Sequence, residues 1–156
     1  MMRTNKKIEG EFEQNILDIA RVTRVVAGGK RLSFRATVAI GSKTGHRIGV
    51  GIGKGQDVSQ AIEKAVNEAK RHLVEVPVVN GTIPFEVSAK YQAAHVILKP
   101  AKKGKGIIAG GSVRSLLKLA NISDVTAKIL GQTSNAINNS QATILAIKKL
   151  NSVKED

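Results

Sequence analysis

The chain has 156 residues, a formal net charge of +13, 42% hydrophobic residues and no cysteine. The apolar content excludes wholesale disorder, and the missing thiols exclude a disulfide framework and a thiolate metal site. The charge concerns partners, not fold, and a polar start (Met1 to Gln14) with no apolar run near the roughly 18 residues of a membrane span predicts a soluble, cytoplasmic protein.

In chain order, Ile16 to Val26 predicts a strand of imperfect alternation. The next is regular: Leu32, Phe34, Ala36, Val38 and Ile40 share one face, Ser33, Arg35, Thr37 and Ala39 the other. Ala27-Gly28-Gly29-Lys30 between them is a hairpin signal, and Lys43-Thr44-Gly45-His46 is a second turn. A third strand follows, in which Ile48, Val50 and Ile52 alternate with Gly49, Gly51 and Gly53. Glycines in register imply a close neighbour on that side, a packed helix being favoured over a nucleic-acid backbone. Asp57 reads as an N-cap with Gln60 in the capping-box position, before Val58, Ala61, Ile62, Ala65, Val66, Ala69 and Leu73 at helical spacing. Pro77 and Asn80-Gly81 break the pattern and mark a boundary between lobes.

The second lobe reads as a strand over Phe85 to Lys90 and another over His95 to Lys99, then a basic glycine-rich loop from Pro100 to Gly111. A helix capped by Ser112, a strand from Val125 to Leu130 and a helix from Asn135 to Leu150 complete it. Lobes of about 70 residues bury little surface alone, so they are expected to lean on each other or on a partner.

The strongest functional signal is charge. From Ile19 through Gln56 there are eight cations (Arg21, Arg24, Lys30, Arg31, Arg35, Lys43, Arg47 and Lys54) and no acid. One sign recurs at Lys90, Lys99, Lys102, Lys103, Lys105, Arg114 and Lys118. Such surfaces repel themselves unless an anion covers them, and nucleic acid is the abundant candidate. With Phe12, Phe34, Phe85 and Tyr91 the only aromatics, base stacking gives way to recognition of phosphates and helix shape.

Other motifs are weaker. Gly104 to Ala109 fits a dinucleotide fingerprint with Asp124 twenty positions on, but lacks the surrounding βαβ array. Gly53-Lys54-Gly55 lacks the hydroxyl residue of a phosphate loop. Gly110-Gly111-Ser112, with the nearby lysines, reads either as a phosphate seat at a helix start or as a flexible turn. His46, His72 and His95 lack ligand spacing, and no nucleophile–base set emerges, so neither cofactor nor catalysis is expected.

The segments Arg21 to Arg35, Gly49 to Lys54 and Gly104 to Arg114, with the terminal helix, closely resemble the family of the fifth protein of the small ribosomal subunit. The resemblance covers about Glu11 to Leu150. It implies an α+β protein: an N-terminal three-stranded sheet plus helix, similar to a double-stranded-RNA-binding domain, and a C-terminal β-α-β-α lobe with a left-handed crossover. The expected divisions are a flexible lead-in over residues 1–10, lobes at 11–76 and 77–150, and a tail at 151–156. It further implies a structural, non-enzymatic role on 16S-type rRNA at the head–body junction, in a bacterial or organellar small subunit. The RNA-binding residues would be Arg21, Thr23, Arg24, Gly28, Gly29, Lys30, Arg31, Arg35, Arg47, Lys54, Lys102, Lys103 and Lys105. Gly106 and Arg114 match the interface with small-subunit protein four, which governs decoding accuracy; protein eight is a further partner, and no homo-oligomer or membrane is expected. The phosphate-clamping lysines of standard double-stranded-RNA-binding domains are absent, with Asp57 at the helix cap, so loops become the contact candidates. Two other readings stay open: a phosphate-ester enzyme, because the implied second-lobe fold also occurs in small-molecule kinases, and a free-standing RNA chaperone.

Overall fold

A computed structural model describes residues 11–153. Strands β1 (Phe12–Val26), β2 (Gly29–Ser42), β3 (Arg47–Gly55) and β4 (Val74–Glu75) form an antiparallel sheet in that order, with α1 (Val58–Arg71) between β3 and β4. The first sheet thus has four strands, not three; β4 is a two-residue pairing, Ile48 to Val74 and Arg47 to Glu75, too short to leave a periodic signature. β1 starts before Ile16, and a register shift between Ile16 and Asp18 accounts for its imperfect alternation.

Ala36, Val38 and Ile40 of β2 pack on Ala61, Ala65, Val66 and Ala69 of α1. The β3 glycines admit this helix. A Cβ at Gly49 would lie 2.5 Å from the Ala69 carbonyl oxygen, and one at Gly51 or Gly53 would run into the carbonyls of Ala65 and Ala61. Of the two expected neighbours, the helix is the one found. Asp57 caps α1 by accepting a hydrogen bond from the Ser59 N–H at 3.4 Å.

The second lobe contains β5 (Val87–Tyr91), β6 (Ala94–Pro100), β7 (Ile107–Ile108), α2 (Gly111–Leu119), β8 (Val125–Ile129) and α3 (Ala136–Val153). Its sheet order is β5-β6-β8-β7, with β7 parallel to β8 and α2 making the crossover between them. β7 lies within the segment read as loop. The N-cap of α2 is Gly110, not Ser112: no side chain caps this helix, and the Ser112 hydroxyl is buried with no hydrogen-bond partner among the described residues. Asn135 starts α3 by accepting from the Ile137 N–H at 3.0 Å. α3 runs to Val153, so residues 151–153 of the expected tail are helical, while the expected lead-in (1–10) and the last three residues lie outside the described residues.

The first sheet is buried on both sides. Opposite α1, Ala39, Ile48 and Val50 join the second-lobe core of Val96, Leu98, Leu116, Leu117, Ile147 and Leu150. The lobes do lean on each other. No described helix is long and apolar enough to cross a membrane.

Candidate nucleic-acid interface

β2 pairs with β3 only from Phe34 to Gly41, whereas its pairing with β1 continues to Gly29. Residues 22–26 and 29–33 therefore form a two-stranded arm beyond the edge of β3, rooted at Arg21 opposite Phe34 and closed by Val26 opposite Gly29. Such a ribbon is marginal in water without packing. Arg21, Thr23, Arg24, Gly28, Gly29, Lys30 and Arg31 are all exposed on it, and Val25 is 76% exposed. Gly29 takes φ 136°, a conformation unfavourable for a side chain, so glycine sharpens the tip.

Register sets the electrostatics of the arm. Arg24 stands directly opposite Arg31, and Val25 opposite Lys30. Like charges facing each other across strands are destabilising, and no acid lies in the arm to offset them. At its base Arg35 is in register with Lys54. Asp18 comes within 4.0 Å of the Arg35 guanidinium, beyond hydrogen-bond length, and Arg35 Nε is buried without a partner among the described residues. Arg35 and Lys54 thus extend the cationic surface inward. Arg47 does not join it. It lies at the other end of β3, seven residues or about 23 Å from Lys54, opposite Glu75.

The second basic element is a tied loop. One oxygen of Asp124, a residue 6% exposed, accepts from the Gly104 N–H at 3.1 Å and the Gly106 N–H at 2.8 Å. The Gly106 carbonyl accepts from the Val125 N–H at 3.1 Å, and the Lys105 N–H bonds the Lys102 carbonyl at 3.2 Å. Lys102, Lys103 and Lys105 all remain exposed. Two N–H groups that a nucleotide phosphate would need are thereby occupied, and the acid expected on a ribose is the group occupying them. A nucleotide-dependent enzyme loses its binding loop. Gly106 has φ +72° and open space beside it, while Arg114, exposed on α2, donates to the Ile107 carbonyl at 3.3 Å.

The residues that join the lobes leave little sign in the sequence. Asn121 donates to the carbonyls of Ser42 and Gly45, both at 2.8 Å. His46 Nδ1 lies 2.8 Å from the Ala120 carbonyl oxygen, which can only accept, so Nδ1 carries the proton. The one available signal was an asparagine just after a helix, where left-handed backbone is common; Asn121 has φ 58°.

Two family descriptions match the chain: ribosomal protein S5, N-terminal domain, over residues 12–77, and ribosomal protein S5, C-terminal domain, over residues 89–156. The small ribosomal subunit protein uS5 of Thermotoga maritima is 50% identical over 140 residues, covering 90% of this chain and 78% of the relative. That of Thermotoga neapolitana is 49% identical over the same shares. The uS5 of Persephonella marina is 43% identical over 144 residues, covering 92% of this chain and 74% of its own. Two cationic elements on an α+β scaffold, both halves matched in order, and this identity over nine-tenths of the length agree: the chain belongs to the ribosomal protein S5 family and is a non-enzymatic structural constituent of the small ribosomal subunit.

Proposed function

We propose that the arm binds small-subunit rRNA at the junction of head and body, through phosphate contacts from Arg21, Arg24, Lys30 and Arg31 and, at its base, Arg35 and Lys54. The carrying observation is the Arg24–Arg31 pair: an exposed ribbon places two cations face to face with no acid in the ribbon itself, an arrangement that a polyanion relieves. Gly28 and Gly29 let the tip approach the RNA backbone closely, and Thr23 adds a contact further along the arm. Arg47, at the far end of β3, reaches a separate phosphate. Lys102, Lys103 and Lys105 hold a second rRNA segment from the body side. Residues 11–76 and 77–150 act as the head-facing and body-facing units.

Equilibrium binding of the full chain to small-subunit rRNA across a salt series tests this reading. With six or more phosphates neutralised, affinity falls about 10³-fold or more between about 50 and 200 mM salt. A salt-insensitive binding constant overturns it.

The loop carrying Gly106 and the exposed Arg114 present a surface to small-subunit protein four, through which the chain influences accuracy; protein eight docks on the same lobe. Gly106→Arg sets a bulky cation at a left-handed position, so misreading by subunits carrying it rises. Unchanged error rates overturn the accuracy role.

A further inference from the structure

The outward face of the second sheet has no role in the reading above. Val87, Ala89, Val96, Leu98, Val125 and Ala127 point inward, against residues of both α2 and α3. The alternate residues, Ser88 and Lys90 on β5, His95, Ile97 and Lys99 on β6, and Thr126 and Lys128 on β8, therefore point the other way. Lys90, Lys99 and Lys128 are exposed, and neither helix covers them. The outer edge of β5 is partly closed by Lys149, whose Nζ donates to the Ser88 carbonyl at 3.0 Å, which leaves the face as the open surface.

Register fixes the spacing of the charges. Lys128 stands opposite Ile97, and Lys99 lies two residues further along β6. Their Cα atoms are thus about 8 Å apart, one strand over and two residues along. Lys90, opposite His95, is two strands over and two residues along from Lys128, about 12 Å away. These separations lie close to the screening length of about 8–10 Å, so the three charges feel one another. Between Pro77 and Val153 the acids are only Glu86, before β5, and Asp124, buried under the loop. α1 is the contrast: Glu63 adjoins Lys64, and Glu68 shares the turn with Lys70 and Arg71. Interleaved signs make a solvated face; a single sign spread over three strands does not.

The residue types identify the partner. Lysine is depleted from the cores of protein–protein interfaces, where aromatics, Met and Arg are enriched, and this face has no Phe, Tyr or Trp to stack on a base, Tyr91 being packed against the inner core and the one imidazole, His95, half-buried. Staggered ammonium groups around the half-buried Ile97 suit a sugar–phosphate backbone met by shape and charge. We propose that the outward face of the second sheet, through Lys90, Lys99 and Lys128, is an additional seat for the backbone of folded RNA. It rests on the rRNA-binding reading and adds a contact surface to it.

The test compares the full chain, a Lys90→Gln/Lys99→Gln/Lys128→Gln variant and an Arg24→Gln/Arg31→Gln variant for binding to small-subunit rRNA over a salt series. The sheet variant is expected to flatten the log–log salt dependence by about two to three, close to one per lost contact, and to bind at least tenfold more weakly near 100 mM salt. In the unmodified chain, rRNA should shield these three amines from acylation, read by mass spectrometry, which keeps the test independent of the variant's folding. An unchanged slope, or three amines acylated as fast with rRNA as without, overturns the proposal. If the arm variant weakens binding in that case, the rRNA reading stands alone; if neither variant does, both fall. A sheet variant that binds rRNA normally but fails to enter subunits also overturns it, assigning the face to a protein neighbour.

Discussion

Gly41 faces Leu119 across the joint between the lobes, so closely that a Cβ at Gly41 would sit 2.8 Å from the Leu119 Cβ and press on its carbonyl oxygen. The obstacle is helix backbone, which cannot swing aside as a side-chain tip would. Gly41→Ala should therefore wedge the lobes apart. Overpacking of this kind costs about 1–3 kcal/mol, and urea unfolding of the full chain should read a lowered midpoint. An unchanged midpoint would mean the joint yields without cost.

Asn121 holds the same joint by hydrogen bonds. Its amide bonds two carbonyls, the part-buried one of Ser42 and the exposed one of Gly45, which water can serve in its place, so removing the amide costs about 0.5–1.5 kcal/mol. Asn121 also occupies φ 58°, where alanine is strained and glycine is not. Asn121→Ala should lower stability more than Asn121→Gly, in thermal or urea melts. The reverse order would show that backbone conformation plays no part here.

What could be read from the chain divides along a physical line. α1 and β2 were legible because burial of one face writes a period of 3.6 or 2 into the residues, and Ala61, Ala65 and Ala69 or Ala36, Val38 and Ile40 carry it. β7 and β4 were not, since each is two residues long and owes its existence to a distant partner, Val125 and Thr126 for one and Arg47 and Ile48 for the other. Residue preference favours the Ser112 hydroxyl as the α2 cap, whereas the chain geometry puts Gly110 there. Among the candidate site residues, the sign of the charge needed no structure. The face-to-face placement of Arg24 and Arg31 did, as did the separation of Arg47 from Lys54, for both depend on register.

Asp124 ties the basic loop from beneath, accepting from Gly104 and Gly106 with one carboxylate oxygen. Asp124→Ala strands two backbone donors and should cost about 1.5–3 kcal/mol, the range for bonds to a charged acceptor. Asp124→Asn keeps an acceptor oxygen and should cost less. Amide exchange at Gly104 and Gly106 is the direct readout: faster in the alanine variant, intermediate in the asparagine variant. Equal exchange in all three chains would show that the loop holds its shape without the carboxylate.

Arg31→Glu separates the needs of the free chain from those of the RNA complex. In the ladder it turns the Arg24–Arg31 repulsion into an opposite-charge pair, worth about 0.2–1 kcal/mol to the arm. The arm opens independently of the core, so the gain should appear as slower amide exchange at Arg24 and Gly29, which belong to the hydrogen-bonded pairs of the ribbon, with little change in the global melt. On rRNA the same change removes a phosphate partner and adds a repelling carboxylate. Affinity should fall, and the salt slope flatten by about one. Opposite signs in the two measurements are what an arm shaped for an anionic partner requires. If the arm became both firmer and tighter-binding, the charge pairing at its centre would have another purpose.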